Sequence, residues 1–492
     1  MIPILPVLLA DAYKIGHVDQ YPKGTEFVYS NRTPRGSRLS GVTHKVVFGN
    51  QYFLLEYLVN QFQTNFFGQP RKVVVDWYHR VVKNMLGRDR VEHIEALWDL
   101  GYLPLRIKAL PEGSRVPMRV PELTIVNTHK KFFWLTNALE TLMESVLWEP
   151  GNSATLAFDY RLAFEAFAKA TGADRSFCKF QGHDFSMRGM HGTESAMLSG
   201  AAHATCFLGS DTVPVIPFLE CYYYADSDKE MVITSVPATE HSVMSVGMQA
   251  NEFDSLDHII FDVYPTGIVS CVSDTWDLWK VITEYLPSRK ERILERAGKV
   301  VIRPDSGNPA DILCGTKNGK GTTPQERGVI QLLWDIFGGT TTADGYRQLD
   351  SHIGTIYGDS ITREIRDEIL SRLKIMGFAS TNVVLGIGSF TYAYNTRDTL
   401  GQAMKATSAK VNGERRAISK NPVTDSGIKK SAVGLLRVDK VDGEFVLREN
   451  VSEADEQGGE LQIIFENGVL HNTVSLSQIR QRIDAEILRL VG

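Results

Sequence analysis

Cysteine is scarce in this 492-residue chain and forms no pattern: Cys178, Cys206, Cys221, Cys271 and Cys314 are odd in number, widely scattered and without a C-x-x-C spacing. That argues against a disulfide framework or a zinc cluster and fits a reducing cytoplasm. Basic residues are in short supply as well, 53 Lys and Arg against 58 Asp and Glu, for a formal net charge of -5. The concentrated positive face by which proteins hold nucleic acid is therefore not expected, and an anionic substrate has to be held by local charge. Long apolar runs are missing too. Nothing approaches the roughly 18 uninterrupted apolar residues needed to cross a bilayer, so no membrane role is expected. The opening MIPILPVLLA lacks a basic leader and is broken by Pro3 and Pro6; it reads as a buried leading strand rather than a secretory segment. Internal repeats and low-complexity tracts are absent.

What is present is a composition ordinary for a globular protein of two or three domains, 43% hydrophobic and 23% charged. Helical period runs through LTNALETLMESVLW at 135–148 and YRLAFEAFAKATG at 160–172, the second ending on Gly172. A boundary is expected near Gly151, so that 1–150 forms the N-terminal part of a β-rich and helical domain. Beyond it, KVVIRPDSGNP at 299–309, IGTIYGDSIT at 353–362 and NVVLGIGSFT at 382–391 each run from an apolar strand into a polar or glycine turn. This strand, loop, helix rhythm predicts a β/α catalytic domain over 151–399, with its chemistry in the loops at the carboxyl ends of the strands. From 400 the composition turns lysine-rich, then to hairpin-like LLRVDKVDGEFVLREN with Asp-Gly as the turn, and ends in a helical LSQIRQRIDAEILRLVG. The segment 400–492 is expected to pack back on the N-terminal domain.

Several short motifs carry groups suited to chemistry, and each admits a plain structural reading beside it. RPDSGNP at 303–309 delivers Arg303 and Asp305 from one strand into one turn. The guanidinium can contact a planar ligand and the carboxylate can grip ribose hydroxyls or a hydrated cation; a salt-bridged Asx turn fits the same residues. GIGSFT at 386–391 offers backbone N–H groups at a helix start, as phosphate sites do without a Walker lysine, yet short glycine turns are common after strands. In TIYGDS, Gly358 allows close approach and Asp359 can accept from ribose, or Asp359 and Ser360 simply cap the next helix. HDFSMRG at 183–189 sets Asp184, Phe185 and Arg188 close together, and ATEHS at 238–242 sets His241 beside Glu240. A histidine next to a carboxylate can be a nucleophile or proton carrier, though a lone histidine is more often structural. Asp211 in GSDT and Asp274 in VSDTWD read equally as turn or cap residues.

Taken in order, these pieces resemble the nicotinamide phosphoribosyltransferases of the type II phosphoribosyltransferase family across some 460 residues. The matching stretches begin with DAYKIGHVDQYPKGT at 11–25, VYSNRTPR at 28–35 and FGNQYF at 48–53. They continue through HDFSMRG, GSDT, SVPATEHS, VSDTWD, RPDSGNP, YGDS, GIGSF and TRD at 396–398, and end with lysines near 405, 420 and 429 and HN at 471–472. The resemblance implies an α/β fold, an irregular β/α barrel with an added β-rich domain made by the N- and C-terminal segments. It implies a homodimer with shared active sites that joins nicotinamide to phosphoribosyl pyrophosphate. By that similarity Phe185 and the partner's Tyr13 sandwich the ring near Arg303, and Asp211 accepts from the carboxamide. Gly358, Gly386 and Gly388 would face the ribose phosphate, Asp305 and Asp359 the ribose hydroxyls, and Ser270 would belong to the same ribose and phosphate set. Arg188, with Arg35, Arg397, Lys405 and Lys420, would hold the phosphates and pyrophosphate. Magnesium would lie near Asp305 and Asp274 through water, and ATP would phosphorylate His241, with Asp274 and Glu240 orienting the imidazole.

The sequence departs from the family pattern in its phosphate cradle: GIGSF is poorer in glycine than in relatives, Met187 stands where an aromatic is common, and Ala403 replaces a polar residue. Two other readings compete. A nicotinate phosphoribosyltransferase shares the fold but should have an uncharged or cationic group at Asp211, since a ligand carboxylate against an aspartate is repelled. A secreted, cytokine-like binding protein needs none of His241, Asp305 and Arg303, all of which are kept.

Overall fold

The computed structural model describes residues 4–358, 361–420 and 431–492. The chain divides into two units, one of 1–155, 218–225 and 395–483, the other of 156–217, 226–394 and 484–492. The first is built on a seven-stranded antiparallel sheet in the order Glu414–Ala417, Gln402–Val411, Thr25–Pro34, Leu123–Asn127, Leu105–Ala109, Gln462–Glu466, Val469–Leu470. Late and early segments thus share one sheet, with Tyr29 opposite both Val126 and Ser408. Val28, Leu105, Ile107 and Ile125 are fully buried along it. A separate hairpin pairs Leu435–Val441 with Glu444–Val451. Its Asp442-Gly443 turn has positive φ at both residues, as a type I′ turn requires.

The second unit is a parallel barrel. Six strands lie in the order Gly209–Ser210, Gly182–Asp184, Val383–Ile387, Ile353–Tyr357, Gly298–Arg303, Gly267–Val272, every neighbouring pair parallel. The extended segment 234–239 closes the ring, since Thr234 bridges Gly209 at one edge and Ala238 bridges Ser270 at the other. Side chains two apart on a strand share a face. Accordingly Lys299, Val301 and Arg303 line the barrel's interior, whereas Val300 and Ile302 are buried outside that lining. Helices Pro309–Cys314, Val329–Phe337 and Arg363–Ile375 fill the connections between strands.

Two local expectations differ from the structure. The segments 135–148 and 160–172 are not separate helices: one helix, Glu140–Ala170, runs through Pro150 and Gly151. An interior proline costs a helix about 3 kcal/mol, and tertiary packing offsets it here. Gly49, at φ +102, leaves space that a Cβ would take within 2.7 Å of the Pro150 ring. Residues 149–158 are buried all round the helix, so no clean amphipathic stripe marks its continuity. Its end is as expected, a Schellman closure in which Ala173 N–H donates to Ala168 and Gly172 N–H to Lys169. Nor do the described residues of the opening segment form a strand. Pro6–Leu8 is a single 3₁₀ turn with Leu5 and Pro6 buried, and Pro6 has no N–H to give a ladder.

Candidate active site

Phe185, Asp211, His241, Asp274, Arg303, Asp305, Gly358 and Gly388 follow or terminate the barrel strands at their carboxyl ends. That is the end at which β/α barrels carry their chemistry. Beneath them the barrel is hollow rather than packed. A cavity of about 350 Å³ is lined by Phe185, Asp211 and Arg303 at this end and by Lys299, Gly354 and Asn382 among others.

Phe185 follows the strand Gly182–Asp184 and is held there by its N–H donating to Ile387 O at 3.0 Å. Gly386 makes room for the ring, because a Cβ at 386 would lie 2.7 Å from Phe185 Cδ2. Arg303 places its guanidinium carbon 5.7 Å from the ring centroid, and its buried Nε has no hydrogen-bond partner among the described residues. Asp211 stands at the same cavity. Burial raises its pKa, but hydrogen bonds from His183 and Ser235 and the charge of Arg303 outweigh that and hold it below the usual carboxylate range. Ser270, on Gly267–Val272, is buried, has no partner for its hydroxyl among the described residues, and lines this cavity. Asp184 is different: it is fully buried, and its carboxylate accepts from Ser186 N–H and the Ser210 and Thr212 hydroxyls. It is core, and Arg188 nearby is exposed.

The second cluster surrounds His241. Its Nδ1 lies 3.1 Å from the Thr275 hydroxyl. Its Nε2 lies 4.0 Å from Asp274 Oδ1 and 3.8 Å from Asp305 Oδ2. Asp274 Oδ2 accepts from the Asp305 N–H at 2.9 Å and the Ser306 hydroxyl at 2.6 Å, tying two loops together. Asp274 Oδ1 is buried and has no hydrogen-bond partner among the described residues. The Glu240 carboxylate accepts from the Ser242 hydroxyl, and Glu240 precedes the short helix that starts at His241. A Cβ at Gly358 would meet Asp305 Oδ1 at 2.6 Å, so glycine there lets the RPDSG loop come close to the backbone at 358. Among the described residues nothing lies within 4 Å of a Cβ built at Gly388, just before the helix Ser389–Ala393.

The remaining expected residues lie in the other unit. Tyr13 is exposed. Arg35 donates to Gly401 O and Arg397 pairs with Asp398. Lys405 donates to Met404 O, and burial lowers its pKa. Lys420 is exposed, its N–H donating to Ser431. Asp359, Ser360 and Lys429 lie outside the described residues, and Thr362 caps Arg363–Ile375. Three residues at these clusters escaped the sequence reading: His183, Ser235 and Thr275. The signal for His183 is there in hindsight, since His183 and Phe185, two apart around a strand end, must face the same way. The hydroxyls of Ser235 and Thr275 carry no comparable mark.

Comparison with known proteins identifies the family and the fold. The model of the nicotinate phosphoribosyltransferase family matches residues 180–461, and that of the nicotinamide phosphoribosyltransferase N-terminal domain matches 6–107. A nicotinamide phosphoribosyltransferase of Acinetobacter baylyi is 49% identical over 98% of each chain. One from Xanthomonas campestris pv. campestris is 31% identical over 97% of this chain and 98% of its own. Among solved structures, a nicotinate-nucleotide pyrophosphorylase from Pyrococcus furiosus superposes with a TM-score of 0.58 at 14% identity, covering 98% of this chain and 94% of that one. Human nicotinic acid phosphoribosyltransferase does so at 0.52 and 16%, with the same coverage. These two structures speak for the fold, an irregular type II phosphoribosyltransferase barrel with added antiparallel sheets. The chain belongs to the nicotinate phosphoribosyltransferase family, and its full-length relatives at the higher identities carry the narrower name of nicotinamide phosphoribosyltransferase.

Proposed function

We propose that the protein transfers the phosphoribosyl group of phosphoribosyl pyrophosphate to nicotinamide, giving nicotinamide mononucleotide and pyrophosphate for NAD salvage. The observation that carries this reading is an ionised Asp211 beside Phe185 and Arg303 at the mouth of the barrel cavity. A carboxylate there accepts from a carboxamide N–H and repels a ligand carboxylate. The pyridine lies flat on Phe185, which adds about 0.5–1.5 kcal/mol beyond its burial. The ring nitrogen carries a lone pair and no proton, so it needs no base. It forms the C–N bond as the C–O bond to pyrophosphate breaks with both electrons going to the leaving group. Positioning by Phe185, Asp211 and Arg303, and cationic stabilisation of the departing pyrophosphate by Arg188, supply the catalysis.

The group fits magnesium in one manner only. Among the described residues no three or more His, Cys, Asp and Glu side chains are arranged to hold a metal ion by themselves, but the buried Asp274 Oδ1, which like Asp305 Oδ2 lies within 4.0 Å of His241 Nε2, suits a cation held mainly by water and substrate oxygens. When bound, magnesium neutralises charge on the pyrophosphate. His241 is half-exposed, which suits a phosphoryl acceptor. In the coupled reaction ATP gives its γ-phosphoryl group to an imidazole nitrogen, ADP departs, and water later cleaves the P–N bond. The working form is a homodimer in which the partner's Tyr13, with its Arg35, Arg397 and Lys405, completes each site. The cytoplasm is the compartment that free cysteines fit. Among the described residues no helix is long and apolar enough to cross a membrane.

Initial rates with nicotinamide and with nicotinate at equal concentration test the reading. A strong preference for the amide is expected, and a preference for the acid overturns it.

A further inference from the structure

Asp211 has two oxygens, and among the described residues the protein's donors reach only one of them. The His183 Nε2 lies 2.8 Å from Oδ1, and the Ser235 hydroxyl donates to that same Oδ1 at 2.5 Å. Among the described residues no protein donor reaches Oδ2. Because Asp211 is an ionised acceptor, the proton of this contact belongs to His183 Nε2. The ring is fixed from two further sides. It packs against Phe185 with centroids 4.6 Å apart at 39°. Its Nδ1 faces Gly209, its neighbour on the paired strand, where a Cβ would lie 2.8 Å away. His183 and Phe185 both line the barrel cavity, so one imidazole braces both the ring-stacking and the amide-reading groups.

We infer that His183 is a positioning residue for substrate choice: together with Ser235 it saturates Oδ1 of Asp211 and presents Oδ2 as a single, fixed acceptor for a carboxamide N–H. The inference rests on the nicotinamide reading above and deepens it. A carboxylate free to turn about its last torsion offers either oxygen in many orientations, which a water or a tilted ligand satisfies as well. Two donors on one oxygen remove that freedom. They also hold the charge on Asp211 that repels nicotinate. Arg303 contributes to that charge state but sits against Phe185 rather than on Oδ1. The clamp is therefore His183 and Ser235, and Gly209 is the space that permits it.

Paired kinetics on His183→Leu, His183→Gln, Ser235→Ala and Gly209→Ala test this, with folding checked by circular dichroism. In His183→Leu the ratio of kcat/KM for nicotinamide over nicotinate should fall by about tenfold or more, the consequence of losing one charge-assisted hydrogen bond. The KM for phosphoribosyl pyrophosphate should stay at the parent value. His183→Gln, whose Nε2 can replace the imidazole donor, should restore much of the ratio. Gly209→Ala, which forces the imidazole off its seat, and Ser235→Ala should lower the ratio in the same direction, so the idea remains testable if the leucine variant misfolds. An unchanged ratio in folded His183→Leu, or in folded Gly209→Ala and Ser235→Ala together, overturns the inference. So does a loss shared equally by both ring substrates and phosphoribosyl pyrophosphate. A parent enzyme without amide preference sinks the functional reading itself, whereas a selective parent with indifferent variants sinks only the role of His183.

Discussion

Burial decides the charge of His93, in the unit built on the antiparallel sheet. Its ring lies edge-on to Trp134 at 5.0 Å, and its Nε2 is 3.1 Å from the Tyr78 hydroxyl. Burial first, and the Arg90 charge second, lower its pKa to about 4. In the unfolded chain a histidine titrates near 6.5, so the folded form binds fewer protons between those values. The stability contributed by the neutral ring is complete above about pH 6.5 and is lost as pH falls towards about 4. Denaturant melts should show a loss of about 2 kcal/mol over that window, and His93→Phe should lose less over the same window. An identical pH slope in both would show that His93 does not contribute. Nothing in the local sequence VEHIEALW marks this histidine as buried and uncharged. At the scale of single residues, type and order announce Phe185, Asp211, His241, Arg303 and Asp305. Charge state and clamping partners depend on contacts far away in sequence, such as Ser235 on Asp211 and Thr275 on His241.

At the scale of elements, the turns were legible because their geometry needs particular residues. Asp442-Gly443 and Gly172 follow from backbone conformation alone. The continuous helix through Pro150 was not, because its cost is offset by a glycine a hundred residues earlier. The two glycines of the GIGSF loop separate these causes. An added Cβ at Gly386 meets Phe185 at 2.7 Å and Gly358 O at 2.9 Å, whereas one at Gly388 meets none of the described residues within 4 Å. Gly386→Ala should cost about 1–3 kcal/mol by overpacking and raise the KM for nicotinamide as the ring is displaced. If the space beside Gly388 takes the phosphate, as proposed, Gly388→Ala should melt with the parent protein yet raise the KM for phosphoribosyl pyrophosphate. Equal melting of both variants would contradict the packing argument, and an unaltered KM in the second would place the phosphate elsewhere.

At the scale of the whole molecule, the barrel was readable from repeated strand-to-loop motifs, since each strand had to be apolar and each loop polar. Its closure was not, because 234–239 joins the ring through isolated bridges and contains Pro237. How many chains make a site is a different matter. Tyr13 is 62% exposed, an unusual placing for a ring assigned to substrate unless a second chain uses it. If sites are shared, Tyr13→Ala and Arg303→Ala each disable both sites of their own dimer. In a mixed dimer, one site then receives the intact Arg303 of one chain and the intact Tyr13 of the other. Random exchange between equal amounts should therefore restore about a quarter of parent activity, from half the dimers each with one working site. Confirmed exchange with no recovery would mean that each chain builds its own site, and Tyr13 would lose its role at the ring.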